Sequence, residues 1–228
     1  MYDRLSAPDL ANTVTGFCTL LSGVVALVLC RFVRRQPPGW HFAYACIVIT
    51  GVPTILFHGY LTPMLAAADV SSNLLLAWAI QWAVLGDFWP VATQRRVAAA
   101  TGAINLAGVA WIFREAITGE KHYLIPFGAH GGFHTGEVVL ILDSLLVVAL
   151  LYARRRKIAA RAKPLLYAIT VTFTIGLFLA TAGNQEVAGP FFAYHALWHV
   201  VGAFGFVLFW AFNHVRLEER ALAPPRRA

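Results

Sequence analysis

Charged side chains are scarce in this sequence. Asp, Glu, Lys and Arg make up 13% of its 228 residues, whereas soluble globular proteins contain about 25%. Hydrophobic residues make up 59% of the chain, and the mean hydropathy is +0.65. This composition excludes an ordinary soluble domain and is typical of a membrane protein.

Several other features are missing. The first apolar stretch has no basic n-region before it and no small-residue cleavage site after it, so we expect a permanent membrane helix and not a secretory signal. The three cysteines all lie in apolar stretches, so they indicate neither a disulfide framework nor a redox compartment. No internal repeat, low-complexity tract or soluble domain is visible.

Long apolar stretches are abundant. Seven of them have about 17 to 24 residues, which is the length needed to cross a bilayer. We therefore expect an all-α integral membrane protein with one domain, residues 1–228, and a disordered tail over residues 221–228. The predicted spans lie near 12–30, 41–58, 64–85, 97–113, 134–153, 164–182 and 191–213.

The basic residues predict the orientation. If the N-terminus lies outside and the C-terminus is cytoplasmic, all 18 Lys and Arg residues except Arg4, Arg114 and Lys121 fall in cytoplasmic segments. The positive-inside rule favours this arrangement. The net charge of +7 then follows from topology and contact with anionic headgroups, and it gives no support for a nucleic-acid partner. No protein partner is indicated.

Three histidines and one aspartate stand out among the polar side chains inside the apolar stretches. His195 and His199 are four residues apart, so they lie on one helix face. His58 ends the second stretch, and Asp69 lies in the third. With the orientation above, a rise of 1.5 Å per residue places Asp69 about 9 Å, His195 about 7 Å and His199 about 14 Å inside the outer surface. The similar depths predict one shared site in the non-cytoplasmic half of the membrane.

The residue types in this set favour zinc chemistry. A catalytic zinc ion commonly has three protein ligands and one water, and the three imidazoles would supply a His₃ set. Zinc makes hydroxide available at neutral pH, and this hydroxide would attack the substrate carbonyl. Asp69 would act as the base and then the acid. Thr54, one helical turn before His58, is a candidate donor to the oxyanion, and Tyr194 is a second one.

Other interpretations stay open. A transmembrane histidine can simply bond a neighbouring helix, and the Thr54 hydroxyl can serve helix packing. The chain could be a seven-helix receptor or transporter with a structural zinc ion. It could also be a b-type haem protein, although axial histidine pairs normally come from facing helices and not from one helix.

A second group of polar residues lies in the segment before the fifth span. It contains His122, His130, His134 and Glu137. This segment could be a gating loop over the site, an ordinary solvated loop or a second metal site, because its glycines leave the local geometry open. Asp143, in the middle of the fifth span, is expected to be a buried hydrogen-bonding partner.

The polar residues also match a known pattern. Thr54-x-x-x-His58, Asp69 and His195-Ala-Leu-Trp-His199 resemble the motifs of the alkaline ceramidase family, within the CREST superfamily of seven-helix membrane hydrolases. The segment Asp9-Leu10-Ala11-Asn12-Thr13-Val14 is similar to the start of the family's first helix. The resemblance implies a zinc-dependent amidase that converts ceramide to a sphingoid base and a fatty acid. It also implies that the three histidines are the zinc ligands.

Three departures from the family pattern are visible. Thr54 replaces the family's serine, and the Asn-x-Asp element before the last helix becomes Asn184-Gln185-Glu186. Only Asp3 and Asp9 precede the first span, so we expect no tight calcium site. The sequence therefore predicts a membrane hydrolase whose substrate, ceramide or another N-acyl lipid, enters from the bilayer.

Overall fold

Seven α helices dominate the structure. The computed structural model describes residues 7–120, 122–127, 131–184 and 194–222. All seven helices are long and apolar enough to cross a membrane, which confirms the prediction of a multi-pass membrane protein. The helices are α1 (Ala7–Phe32), α2 (Pro38–Tyr60), α3 (Pro63–Phe88), α4 (Val91–Thr118), α5 (Thr135–Ala153), α6 (Lys163–Asn184) and α7 (Tyr194–Leu222).

A tight connection joins α2 to α3. Leu61 ends α2 in the left-handed conformation, with φ of 50°, and donates its N–H to the carbonyl of the residue four positions earlier. Thr62 caps α3 through its side chain, and Pro63 occupies the first turn, where its missing N–H is not needed. This connection holds His58, in the last turn of α2, and Asp69, near the start of α3, at the same end of the bundle.

The helices pack in a defined order. Close backbone contacts connect α6 to α7, α7 to α1, α1 to α2 and α2 to α3, and α3 contacts both α4 and α5. The helices α5 and α6 follow each other in the chain but are not among the closely packed pairs of the described residues. The packed helices therefore form a continuous series from α6 through α7, α1, α2 and α3 to α5. The packing between α5 and α6, which would close the ring, is loose.

The segment between α4 and α5 contains a β-hairpin. Strands β1 (Tyr123–Phe127) and β2 (Gly131–His134) pair antiparallel. The expectation of an all-α chain is wrong for this segment. Its runs of 5 and 4 residues are too short for a hydropathy pattern to mark, although Tyr123, Ile125 and Phe127 of β1 favour a strand.

The helices also extend beyond the predicted spans. The helix α4 starts at Val91 and ends at Thr118. Its ends are helical, but they are too polar to belong to the apolar stretch from which the span was predicted. The helix α7 continues through Leu222, two residues into the segment predicted to be disordered. Residues 223–228 lie outside the described ranges.

The largest apolar core lies at the end of the bundle away from His58 and Asp69. It is formed where the second half of α3 and the second half of α7 meet the first half of α2. Trp40 is fully buried there, and its ring centroid lies 5.7 Å from that of Phe209. The bulky packing is thus concentrated at one end of the bundle, and His58 and Asp69 lie at the other.

Candidate metal centre

Three histidines converge between α2 and α7. His58 comes from the last turn of α2, and His195 and His199 come from the first two turns of α7. One ring nitrogen of each lies within 4.8 Å of those of the other two. The ring centroids are 5.0 Å apart for His58 with each partner and 4.9 Å apart for the α7 pair. The structure thus brings together all three residues that the sequence predicted as ligands.

The donor set suits a zinc ion. Imidazole nitrogens bind zinc at about 2.0–2.1 Å, and three nitrogens within 4.8 Å of one another are close enough for their side chains to surround one ion. His58 and His199 are buried and His195 is half-buried, so water has limited access. Among the described residues, these three histidines are the one group of His, Cys, Asp or Glu side chains placed closely enough to hold a metal ion.

Thr15 contacts the triad from α1. Its Oγ1 lies 3.1 Å from Nδ1 of His199 and donates to the Ala11 carbonyl at 2.8 Å. When the single hydroxyl proton bonds Ala11, the Thr15 oxygen is an acceptor and Nδ1 of His199 is the donor to it. This arrangement leaves Nε2 of His199 unprotonated and free to bind a metal. The sequence analysis missed Thr15, which lies in an apolar helix and has no motif of its own.

Asp69 and Thr54 form a second pair beside the histidines. The Thr54 hydroxyl lies 2.5 Å from Oδ1 of Asp69 and 2.9 Å from the Thr50 carbonyl. A hydroxyl donates one proton at a time, and the shorter contact to the acidic group favours Asp69 as the acceptor. The oxyanion role expected for Thr54 stays a prediction, and the observed contact gives its hydroxyl a different task, which is to orient Asp69.

One cavity joins these groups. Thr54, Asp69, His195 and His199 lie on the wall of a cavity of about 280 Å³. The rest of its wall is mostly apolar and belongs to α3, α5, α6 and α7, and it reaches Phe209. The interval from His195 to Phe209 corresponds to about 21 Å along a helix. The polar site therefore lies at one end of a long apolar slot.

The slot reaches the surface between α5 and α6. Leu145 of α5 and Leu177 of α6 line the cavity and are also exposed. At the inner end of these helices the Tyr152 hydroxyl lies 3.4 Å from that of Thr170, so side chains bridge the two helices there. The cavity thus opens sideways, on an apolar face of the bundle.

The histidines of the hairpin segment have other partners. The backbone N–H of His134 donates to Glu137 at 2.8 Å, and together they form a capping box at the start of α5. His122 lies 3.5 Å from Glu115 of α4. His130 lies outside the described residues. A second metal site is therefore not found in the described part of this segment.

Asp143 and Tyr194, which the sequence also singled out, both lie within the described residues. Asp143 accepts a hydrogen bond from Gln81 at 2.6 Å, which confirms the expected role as a buried partner. Tyr194 begins α7 and is half-buried. Asp3, Gln185 and Glu186, on which the calcium expectation and one motif departure depend, lie outside the described residues.

The fold and site define a class, a multi-pass membrane protein with a buried histidine triad. No family model, curated protein or solved structure matches the chain. Its function therefore has to be argued from the site.

Proposed function

We propose that this protein is a zinc-dependent intramembrane amidase that hydrolyses an N-acyl lipid of the ceramide type. One observation supports this most strongly. Two histidines of the triad, His195 and His199, and the Asp69–Thr54 pair line the same largely apolar cavity. A purely structural zinc site would need neither an adjacent carboxylate nor a cavity beside it.

His58, His195 and His199 would hold the zinc ion, with the His199 tautomer fixed by Thr15. When bound, zinc supplies a Lewis acid and makes hydroxide available at neutral pH. The centroid separations of 4.9 to 5.0 Å suit one small ion better than a porphyrin plane between two rings. This spacing weighs against the haem alternative.

Asp69 would transfer the proton. The oxygen of a water molecule forms a bond to the acyl carbon, and Asp69 accepts the proton that this water loses. As the carbon–nitrogen bond breaks, Asp69 returns that proton to the amine nitrogen. Thr54 would hold the carboxyl group in place through its contact with Oδ1.

The cavity would select a lipid. Its apolar wall and its opening between α5 and α6 would let an acyl chain enter from the bilayer without crossing water. The amide would then lie beside the triad. The resemblance of Thr54-x-x-x-His58, Asp69 and His195-x-x-x-His199 to the alkaline ceramidase motifs supports ceramide as the first substrate to test.

The proposal includes the orientation of the protein in the membrane, with the N-terminus outside and the C-terminus in the cytoplasm. The basic residues after α1, in the first turns of α4 and after α5 lie at the end of the bundle away from the histidines. The positive-inside rule assigns that end to the cytoplasm. The active site would then face the non-cytoplasmic half of the membrane.

The test combines metal analysis with product release. We expect detergent-purified protein to contain about one zinc per chain by elemental analysis and to release fatty acid from ceramide or another N-acyl lipid. His199→Ala should lose both zinc and activity. Asp69→Asn should keep the zinc and lose turnover, by about 10²- to 10⁴-fold. His214→Ala, on the same helix but stacked on Trp210 away from the triad, is the control that should retain zinc.

Three other outcomes would each contradict part of the proposal. Protein without zinc, when purified in the absence of chelators, would overturn the metal site. Zinc without cleavage of any N-acyl lipid in the panel would favour the receptor or transporter with a structural ion. Parental activity in Asp69→Asn would show that another group is the base.

A further inference from the structure

One face of α7 lines the slot from the histidines to its inner end. His195, His199, Gly202, Phe206 and Phe209 all lie on the cavity wall, and their spacing of three or four residues places them on the same side of the helix. Gly202 lies midway between His195 and Phe209, about 10 Å from each along the helix axis. Halfway down the slot, therefore, α7 contributes no side chain to the wall.

Helix packing does not account for Gly202. Apart from its chain neighbours and its own helix backbone, the one described atom within 4 Å of a methyl group added there belongs to Trp198, at 4.0 Å. Two nearby glycines differ, because a methyl group at Gly205 would lie 2.9 Å from Phe173 and one at Gly176 would overlap Trp198. Glycine favours a helix less than alanine does. Since Gly202 is buried, the open space beside it is the slot itself.

Packed apolar side chains line the inner end of the slot. The ring centroid of Phe173 lies 5.7 Å from those of Phe206 and Phe209. Leu151 and Ile169 line the same cavity and are almost fully buried. We call these five residues the floor of the slot.

The wall formed by α5 and α6 is apolar in its chemistry. Its hydroxyls belong to Ser144, Thr170 and Thr174, and each of them donates to a carbonyl of its own helix. A hydroxyl has a single proton to donate, so these groups hold none for a ligand. The wall therefore suits a hydrocarbon chain and not a polar head group.

We propose that Gly202 and the floor set the length of the acyl chain that the site accepts, with Gly202 keeping the slot open to long chains. This inference rests on the proposed amidase function. The acyl side of the amide is hydrocarbon from its first carbon, whereas the amine side of a ceramide has hydroxyl groups close to the nitrogen, which are costly to bury against an apolar wall. The acyl chain is therefore the part that enters the slot.

The dimensions of the slot favour a long chain. The interval from His195 to Phe209 corresponds to about 21 Å, and one leaflet of the hydrocarbon core is about 15 Å thick. An acyl chain of the length found in membrane lipids would thus be enclosed down to the floor. A short chain would leave part of the slot empty and lose its contacts there.

The first test compares cleavage of N-octanoyl, N-palmitoyl and N-lignoceroyl sphingosine at equal mole fraction. The parent should cleave the palmitoyl lipid fastest. In Gly202→Leu the new side chain fills the slot halfway, so the ratio of palmitoyl to octanoyl cleavage should fall by about 10-fold or more, the effect of one methylene group in an apolar pocket. Gly202→Ala should change this ratio less. The control is Val200→Phe, which adds bulk on an exposed face of the same helix and should keep the parental ratio.

The second test needs no catalysis. The probe is N-palmitoyl sphingosine with a photoreactive diazirine at the last carbon of its acyl chain. In the parent it should label Phe173 or Phe209 of the floor, and in Gly202→Leu this labelling should fall. Zinc content and the unfolding midpoint check that the variant is folded, since Gly202 is not a proposed ligand.

Two results would overturn the inference. One is a parental ratio of palmitoyl to octanoyl cleavage in folded Gly202→Leu. The other is labelling of residues that face the membrane, such as the exposed Phe204, in place of the floor. Labelling of the floor without cleavage of any chain length would instead contradict the amidase and still support the slot as the site that encloses the chain.

Discussion

At the residue scale, the Thr15 hydroxyl decides which nitrogen of His199 is available. A neutral imidazole has one N–H and one lone pair, and either nitrogen can bear the proton. We infer that the 3.1 Å contact with Thr15 keeps the proton on Nδ1. The residue would thus support the candidate metal centre without touching the ion.

We expect Thr15→Val to weaken zinc binding by about 10- to 100-fold, the range found when the partner of a metal-binding histidine is removed. The side chains have similar shapes, so the fold should persist. The measurement is zinc affinity by competition with a chelating dye. Thr101→Val is the control, because Thr101 bonds only carbonyls of its own helix. Equal affinities in the two variants would show that Thr15 has no influence on the metal.

The sequence predicted the site residues better than their contacts. Histidine is costly in an apolar helix, so His58, His195 and His199 were conspicuous as candidates. The contact of Thr15 with His199 depends on how α1 packs against α7, which a single sequence does not reveal. The same is true of Thr54, for which the spacing to His58 predicted a shared face but not the hydrogen bond to Asp69.

At the scale of the elements, small residues allow α1 and α2 to approach closely. A methyl group added at Gly51 of α2 would lie 2.5 to 2.6 Å from Leu20 of α1, including two of its backbone atoms. Backbone atoms cannot rotate away, so the helices would have to separate. Close packing at small residues is a common basis of helix association in membranes. Gly51 lies one turn before Thr54 and two turns before His58.

Gly51→Ala should therefore destabilise the protein, by about 1–3 kcal/mol as for other overpacked sites, and should lower zinc occupancy as α2 shifts. Gly59→Ala is the matched control on the same helix, since the nearest atom to its added methyl group is 4.0 Å away. The measurements are the thermal unfolding midpoint in detergent and the zinc content. Similar midpoints for the two variants would contradict the packing argument.

Hydropathy located every helix but not its ends. A window of apolar residues marks the membrane-crossing part, whereas the ends of α4 and α7 extend into polar sequence. The hairpin was missed because its strands are too short to form a recognisable apolar pattern, and because the second strand directly precedes the start of α5. His134 and Glu137 follow the spacing of a capping box. This role at the start of α5 explains both residues without a second metal site.

At the scale of the whole molecule, the two ends of the bundle differ in chemistry. The end away from the histidines has buried polar bonds that tie the helices together. Arg216 of α7 pairs with Asp87 of α3 at 2.6 Å, and Trp40 of α2 donates to the same carboxylate at 2.7 Å. Arg34, just after α1, donates to the Leu217 carbonyl. This end is also the one rich in exposed basic residues.

The orientation can be tested with reporter fusions in bacteria. A fluorescent protein at the C-terminus should fluoresce, and alkaline phosphatase at the same position should be inactive, because the basic end is expected to remain in the cytoplasm. Fusions after α6 should give the reverse pattern, because one helix fewer separates the reporter from the N-terminus. Active phosphatase at the C-terminus would invert the topology and place the triad in the cytoplasmic half.

The sideways opening between α5 and α6 also changes what concentration means for this protein. A site that takes its substrate from the membrane encounters lipid in two dimensions. Its rate then follows the mole fraction of substrate among the surrounding lipids and not the amount per volume of buffer. Diluting the bilayer with inert lipid would slow turnover at constant total substrate, and diluting the whole suspension with buffer would leave turnover per molecule unchanged.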